Sequence, residues 1–435
     1  MKEFLKRLLL PKPPRKKMPV KPGLYHCMWT RDGIFHRFHL RTEPDGSGML
    51  LVNASAVLRL NPTGVIMARG ILDREEEEKT AARVDSCFTG VSRDEALEEV
   101  KNMKRLIDDM MAPDTSTPLM NLDDPSFHPR EASLMAPFRA DVPLERPEKL
   151  KPILERLWEI GIPVVTLKLP HEPDPGWAVE LVEHAGDLGM ITGVCGRAMD
   201  LGGEGFLEDL ALAGLDYATF FYASPDHECH DALFGSGDHQ SALDIAGAIR
   251  KQEVCPVACM PLLETNIDFL ENSARFLRKV GVNNILFFAV AALDDAGGEE
   301  TEEALRASAL PQAAAMVEEI GEELEIGFVW LPPVKRSPMM SLREQVTAGP
   351  RCMGDVAIRV EPNGSVIPPR GPYRSAGNLF EDSWEKIWGN EAFRNYRERV
   401  EAPTRCETCP GLAICAADCP REPAGWASPE KGREE

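Results

Sequence analysis

Leu150-Lys151-Pro152-Ile153-Leu154-Glu155-Arg156-Leu157-Trp158-Glu159-Ile160-Gly161-Ile162-Pro163-Val164-Val165-Thr166-Leu167-Lys168-Leu169 decides the fold class. Leu150, Ile153, Leu154, Leu157 and Trp158 recur at i, i+3, i+4, i+7 and i+8, the stripe of a helix with one buried face. Gly161 then offers the left-handed residue that ends a helix, and Pro163–Leu169 is an apolar run of strand length. The same grammar recurs downstream. Gly189-Met190 precedes Ile191–Cys195, and Gly214-Leu215 precedes Tyr217–Tyr222. Gly281-Val282 precedes Ile285–Val290, after a helix through Phe269, Phe276, Leu277 and Val280. Continuous apolar strands between amphipathic helices imply a parallel sheet covered by helices, an α/β fold. About seven such strands predict a full or partial (β/α) barrel, with a flat doubly wound sheet as the alternative.

Around this core the chain has 435 residues, room for two to four domains at roughly 100–200 residues each. Its 43% hydrophobic and 27% charged residues place it in the globular class. No apolar run approaches the roughly 18 residues of a membrane span. Seventy acids face 49 bases, and the formal charge of −21 argues against nucleic acid as the main partner. Residues 1–23 invert that balance, with eight bases and one acid. At +7, they leave −28 for the rest of the chain's −21 total. Leu8-Leu9-Leu10 is too short for a signal-peptide core and no small-residue cleavage site follows, so a basic tail and a cytoplasmic location are expected. The tail reads as a disordered arm or as a weak contact for membrane or an acidic partner.

Residues 24–112 predict a small α+β domain of winged-helix plan. Ile34–Leu40, Met49–Val52 and Val57–Leu60 read as three strands. Asn61-Pro62 opens a helix, Glu75–Cys87 fits a second, and Ser92-Arg93-Asp94-Glu95 is a capping box for a third through Met103, Ile107 and Met110. With its strand-rich lead-in, Val57-Leu58-Arg59-Leu60-Asn61-Pro62-Thr63-Gly64 resembles the PqqD-like peptide chaperone domain, or RiPP recognition element. The resemblance implies that the domain holds the leader of a precursor peptide, by pairing an exposed strand edge with an extended chain. A generic winged-helix module is the other reading of these residues. A DNA-binding one is disfavoured by Glu75-Glu76-Glu77-Glu78 and the acidic third helix.

Residues 113–145 form a Pro-rich linker leading into a first barrel strand near Ser133–Phe138, and 146–340 form the barrel. Ser224-Pro225-Asp226-His227-Glu228-Cys229-His230-Asp231-Ala232-Leu233-Phe234-Gly235 resembles the segment after the fourth strand of radical S-adenosylmethionine (radical SAM) enzymes. Leu169-Pro170-His171-Glu172-Pro173 stands where that family has Gly-Gly-Glu-Pro, and keeps only Glu-Pro. The family also has a Cys-x3-Cys-x2-Cys loop after its first strand, whose three thiolates hold the [4Fe–4S] cluster that binds SAM. Here that loop is expected at about residues 137–147, which contain no cysteine and no histidine. SAM binding is therefore not expected. Cys255 and Cys259 lie in a predicted strand, where residues four apart are roughly 13 Å apart, so they read as structural thiols. His227, Cys229 and His230 read as the opening of a helix rather than as metal ligands.

The last 84 residues hold five of the eleven cysteines, Cys352 and the group Cys406-x2-Cys409-x5-Cys415-x3-Cys419. Four thiols within 14 residues predict a metal site, and soft thiolates suit either a [4Fe–4S] cluster or zinc. Residues 341–435 resemble the SPASM domain, the auxiliary-cluster domain of peptide-modifying radical SAM enzymes. The resemblance is carried by Cys352, Val360-Glu361-Pro362-Asn363-Gly364, Gly377-Asn378-Leu379, Ser383-Trp384-Glu385-Lys386-Ile387-Trp388 and the Cys group. The family's second Cys would fall at Pro369, and its last Cys, after Cys419, is absent. By resemblance, Cys352 and Cys419 serve one site and Cys406, Cys409 and Cys415 the other. Five thiols complete one four-ligand site, so one auxiliary cluster is expected on Cys406, Cys409 and Cys415, with Cys419 or Cys352 as the fourth.

The expected function is a partner or scaffold in ribosomal-peptide (RiPP) maturation, without a SAM-cleaving cluster of its own, working beside an intact radical SAM enzyme. The alternatives are a peptide-modifying enzyme with other chemistry in the barrel and a zinc-stabilised interaction protein. For an enzyme, Lys168, His171, Glu172 and Asp226 sit near predicted strand ends, the active face of parallel barrels.

Overall fold

The computed structural model describes residues 19–88, 90–112, 134–354, 357–369 and 373–393. They fall into two compact units, one reaching Ala136 and including Glu159–Pro163, the other comprising Pro137–Trp158 and the chain from Val164 onward.

In the first unit, β1 (Gly23–Arg31), β2 (Ile34–Thr42), β3 (Gly48–Val52) and β4 (Ala56–Leu60) form an antiparallel meander in that order. Helices α1 (Pro62–Leu72), α2 (Glu77–Cys87) and α3 (Arg93–Met110) follow. The sequence pattern predicts three strands, and β1 is the fourth. Its inward face is Tyr25, Cys27 and Trp29, all only partly buried, so its apolar alternation is weak. The helix starts match their signals. Asn61 accepts the Gly64 N–H at 2.8 Å with Pro62 in the first turn, and Ser92 and Glu95 complete the capping box. Phe38, Leu40, Leu50, Val65, Ile66, Val84, Val100 and Met103 build the core between sheet and helices.

In the second unit, β5 (Arg139–Pro143), β6 (Val164–Lys168), β7 (Ile191–Gly196), β8 (Tyr217–Phe221), β9 (Cys255–Leu262) and β10 (Asn284–Ala292) are neighbours in chain order, and every pair is parallel. A doubly wound sheet would reverse its strand order at a switch point. No reversal occurs between β5 and β10, so the sheet is of barrel type, and it remains open along its described length. Helices α4 (Pro147–Ile160), α5 (Pro175–Leu188), α6 (Ala198–Leu201), α7 (Phe206–Leu212), α8 (His227–Phe234), α9 (Asp238–Lys251) and α10 (Leu270–Lys279) make the crossovers. Gly161, Gly189, Gly214 and Gly281 have φ of +97°, +93°, +98° and +85°, the left-handed helix ends that the sequence predicts.

The first barrel strand is displaced from its expected place near Ser133–Phe138 to Arg139–Pro143. Its alternate residues Arg139 and Asp141 are charged and fully buried, so no apolar run marks it.

After β10 come β11 (Leu305–Arg306), α11 (Leu310–Leu324), β12 (Gly327–Trp330), β13 (Val334–Lys335) and α12 (Leu342–Ala348). The C-terminal hairpin, β14 (Ala357–Val360) and β15 (Ser365–Ile367), turns at Gly364, whose φ of +85° places it in the left-handed region. Then come β16 (Gly377–Asn378) and α13 (Trp384–Trp388). β14 also pairs in parallel with β5, which joins the hairpin to the barrel sheet.

Candidate functional site

The connection between β5 and α4 is Leu144-Glu145-Arg146. It is three residues long and carries no thiol. Most of the stretch expected to be a cluster loop is strand β5 itself and the first residue of α4.

The interior wall of the barrel is polar. Asp141 is fully buried, and neither carboxylate oxygen makes a hydrogen bond of normal geometry. Burial pushes its pKa up to about 6, against the opposing pull of Lys168, Arg139, Arg359 and the Met353 N–H. On β7, burial pushes the Cys195 thiol up to about 11, with Lys168 opposing and Asp141 adding to the rise. The Cys259 thiol on β9 rises for the same reason and also feels Cys195, Lys168 and Asp141. Side chains of β5, β6, β7 and β9 interact in this way because the sheet curls and turns them toward one another. In the same interior, Tyr217 shares a 2.8 Å hydrogen bond with Thr166 Oγ1, and Thr166 is the register partner of Asp141. A Cβ on Gly193 would lie 1.9 Å from the Tyr217 ring, so the ring occupies the space that Gly193 leaves open.

Ala348, the last residue of α12, and the two residues after it lie over the carboxyl end of the sheet. Lys168 Nζ donates to Ala348 O at 3.3 Å and to Pro350 O at 3.0 Å. A Cβ on Gly349 would be 3.3 Å from Phe221 Cζ and 3.6 Å from Lys168 Nζ. Lys168 and Phe221 are the last residues of β6 and β8. The segment Ala348–Pro350 therefore rests on the carboxyl ends of the strands, where parallel barrels bind their ligands.

The other strand-end candidates do not converge. His171 and Glu172 are exposed; His171 Nδ1 lies 2.6 Å from Arg197 Nη2, and Arg197 forks onto Asp200. Asp226 caps α8 by accepting the Glu228 N–H at 2.9 Å. His227, Cys229 and His230 open α8, as expected. His230 is buried: its Nδ1 accepts the Ala223 N–H at 3.2 Å, leaving Nε2 to donate to Asp238 at 3.1 Å. Cys255 and Cys259 both lie on β9, where burial pushes both thiols up.

Of the predicted metal ligands, Cys406, Cys409, Cys415 and Cys419 lie outside the described residues. Cys352 is fully buried, with Sγ directed at Gly354 O at 3.6 Å and Ala357 O at 3.9 Å. It lines a cavity of about 280 Å³ that it shares with Pro350, Arg351, Arg359, Pro369 and Tyr373. The two positions of the expected ligand pair, 352 and 369, thus do come together, but one of them is proline. Arg359 pairs with Glu361 at 2.6 Å, and Arg351 lies over the Tyr373 ring. Among the described residues, no three His, Cys, Asp or Glu side chains gather as a metal site.

In the first unit, β1 is an edge strand: it pairs with β2 and has no second strand partner among the described residues. Beside that edge lies a groove of about 350 Å³. Its apolar lining is Trp29, Ile71, Val100, Ile107 and Met111. Arg31–Asp108 and Lys104–Glu77 ion pairs, each 2.7 Å, brace its walls. Sequence reasoning missed this edge because it missed β1, and missed Asp141 because the charge hides the strand.

The family model of the SPASM iron–sulfur cluster-binding domain matches residues 352–410. No curated protein matches the sequence. Solved structures share the fold. SuiB of Streptococcus suis bound to S-adenosylmethionine superposes with a TM-score of 0.52 at 12% identity, over 90% of this chain and 95% of SuiB. A second SuiB structure gives 0.50 at 13% identity, over 88% and 94%. SuiB bound to its precursor peptide SuiA gives 0.49 at 13% identity, over 87% and 93%. The chain thus has a mixed α/β fold with a central parallel sheet like that of SuiB, a match to the SPASM domain over residues 352–410 and an N-terminal four-stranded antiparallel sheet. No helix of the described residues is long and apolar enough to cross a membrane.

Proposed function

We propose that this protein is a partner in the maturation of a ribosomally made peptide, binding the peptide and carrying an auxiliary [4Fe–4S] cluster without cleaving SAM itself. One observation carries this: the connection after the first barrel strand is Leu144-Glu145-Arg146. An eight-residue Cys-x3-Cys-x2-Cys loop has no room there, and the residues present offer no thiolate for a SAM-binding cluster. The segment Ala348–Pro350 on the strand ends points the same way. Peptide capture falls to the first domain, where the edge strand β1 supplies backbone hydrogen bonds and the adjoining groove an apolar anchor site. An auxiliary cluster on the C-terminal cysteines would supply an electron-transfer or structural centre, and an intact radical SAM enzyme the radical chemistry.

The test uses the full chain, purified anaerobically and reconstituted with iron and sulfide. Under strong reductant with SAM, no 5′-deoxyadenosine should form above the protein-free control. A short peptide encoded beside the gene should bind, quench Trp29, and bind at least tenfold more weakly to Trp29→Ala. Deoxyadenosine formed in proportion to protein would overturn the non-cleaving role. Equal binding by Trp29→Ala would remove the peptide from this groove.

A second reading, acid–base chemistry in the barrel, has one observation in its favour. Asp141, whose pKa is raised to about 6, feels Lys168 in an interior sheltered from solvent.

A further inference from the structure

The groove of the first unit carries one charge that the fold leaves unmatched. Six charged residues line it: Arg31, Arg74, Glu75, Glu77, Lys104 and Asp108. Five of them have partners of opposite sign. Arg31 pairs with Asp108 and Lys104 with Glu77, each at 2.7 Å, and Glu75 pairs with Arg83. Arg74 makes no ion pair among the described residues; its guanidinium lies over the Trp29 ring, 5.6 Å from the centroid. Arg74 is exposed, and its φ of +56° lies in the left-handed region that a non-glycine residue seldom occupies. Such strain gathers at binding sites. Beside Trp29, the apolar lining is Ile71, Val100, Ile107 and Met111. At about 350 Å³ the groove is at the small end of ligand pockets, roughly 300–1,000 Å³, and admits a side chain or two rather than a folded partner.

An extended peptide added beside β1 turns alternate side chains to the same face, so residues i and i+2 meet the groove while i+1 points away. From this we infer that the groove reads two residues of a bound peptide: a large apolar side chain, seated among Ile71, Val100, Ile107 and Met111, and a carboxylate two positions from it that pairs with Arg74. An acid directly beside the apolar residue faces away and is not read. The inference rests on the proposed peptide-capture role of this domain.

The experiment titrates the full chain into short fluorescein-labelled peptides of Ser and Thr that carry a single Leu and a single Glu, and reads anisotropy. Glu stands two residues from Leu, in either order, or directly beside it; Gln and Lys replace it in matched sets. With Glu two residues away, binding in at least one of the two orders should be about three- to fivefold tighter than with Gln, the scale of an exposed ion pair, and Lys should bind weakest. Glu beside Leu should gain nothing over Gln. Arg74→Glu should reverse the order of the Glu and Lys peptides. Arg74→Gly suits the left-handed backbone and serves where the Glu variant does not fold. It should erase the difference between Glu and Gln while the Gln peptide keeps its affinity. Equal binding of Glu and Gln peptides by the parent, equal gains at both spacings, or a preference for Glu that survives in Arg74→Gly would overturn the inference and leave peptide capture standing. No saturable binding of any peptide would remove peptide capture from this groove, and the inference with it.

Discussion

Replacing Asp141 by asparagine should stabilise the protein, and only above a defined pH. The carboxyl group is fully buried on β5 without a good hydrogen bond, and its folded pKa is about 6 against an ordinary 3.8. Burial outweighs the favourable field of Lys168, Arg139 and Arg359. Between pH 4 and 6 the unfolded chain gives up this proton while the folded chain keeps it. Stability therefore falls as pH rises through that window and is level above it. At 1.36 kcal/mol per pH unit, the charged carboxylate costs roughly 3 kcal/mol at pH 8. Asparagine has the shape of the protonated acid and carries no charge, so Asp141→Asn should match the parent near pH 4. At pH 8 it should exceed it by roughly 3 kcal/mol, about a hundredfold in the folded-to-unfolded ratio. Urea unfolding of both proteins at pH 4, 5, 6, 7 and 8, followed by far-ultraviolet circular dichroism, reads this difference directly. A difference that does not change with pH, or a variant less stable than the parent at pH 8, would refute it. The second outcome would mean that the carboxylate is worth more to the three cations than burial costs it.

Two further outcomes follow from the barrel interior. Gly193→Ala should unfold at markedly lower temperature, losing about 3 kcal/mol or more. Its Cβ would sit 1.9 Å from a ring that is buried and tied to Thr166, whereas Gly196→Ala meets only the flexible Leu169 side chain at 3.1 Å and serves as control. Equal unfolding temperatures for the two variants would show that the Tyr217 ring does not fill the space beside Gly193. In the native chain at pH 8, Cys195 and Cys259 should resist iodoacetamide while Cys27 and Cys229, both half-buried, are alkylated first; peptide mapping by mass spectrometry reads the order. Early labelling of Cys195 would mean that the barrel interior is open to solvent.

The parallel sheet was legible because its strands are apolar on both faces and each follows a helix ended by glycine. That signal fails wherever a strand turns charge inward. Arg139 and Asp141 break the apolar run of β5, and the sequence pattern then places the first strand several residues early. β1 fails differently: half-buried at the edge of its sheet, it needs few apolar residues. Covering of the strand ends by Ala348–Pro350 has no local sequence signal, because it depends on carbonyls that any residue supplies and on Lys168 far upstream. The cysteine spacing predicts a metal site without reference to the fold. What spacing alone leaves open is the place of Cys352, and here the structure adds the proline opposite it.

The hairpin and the covered strand ends are one construction. β14 pairs with β5 so that Arg359 stands in register with Asp141. The chain between α12 and β14 therefore has to run from the helix to the edge of the first barrel strand. Residues 348–353 lie on that route, and along it they meet Lys168 through the Ala348 and Pro350 carbonyls, Phe221 through Gly349 and Asp141 through the Met353 N–H. Docking of the hairpin on β5 thus brings the covering segment with it. In an enzyme that must admit a cofactor at this end, such a segment would compete with binding. In a partner protein with nothing to admit, it satisfies Lys168 and covers the strand ends with the same few residues.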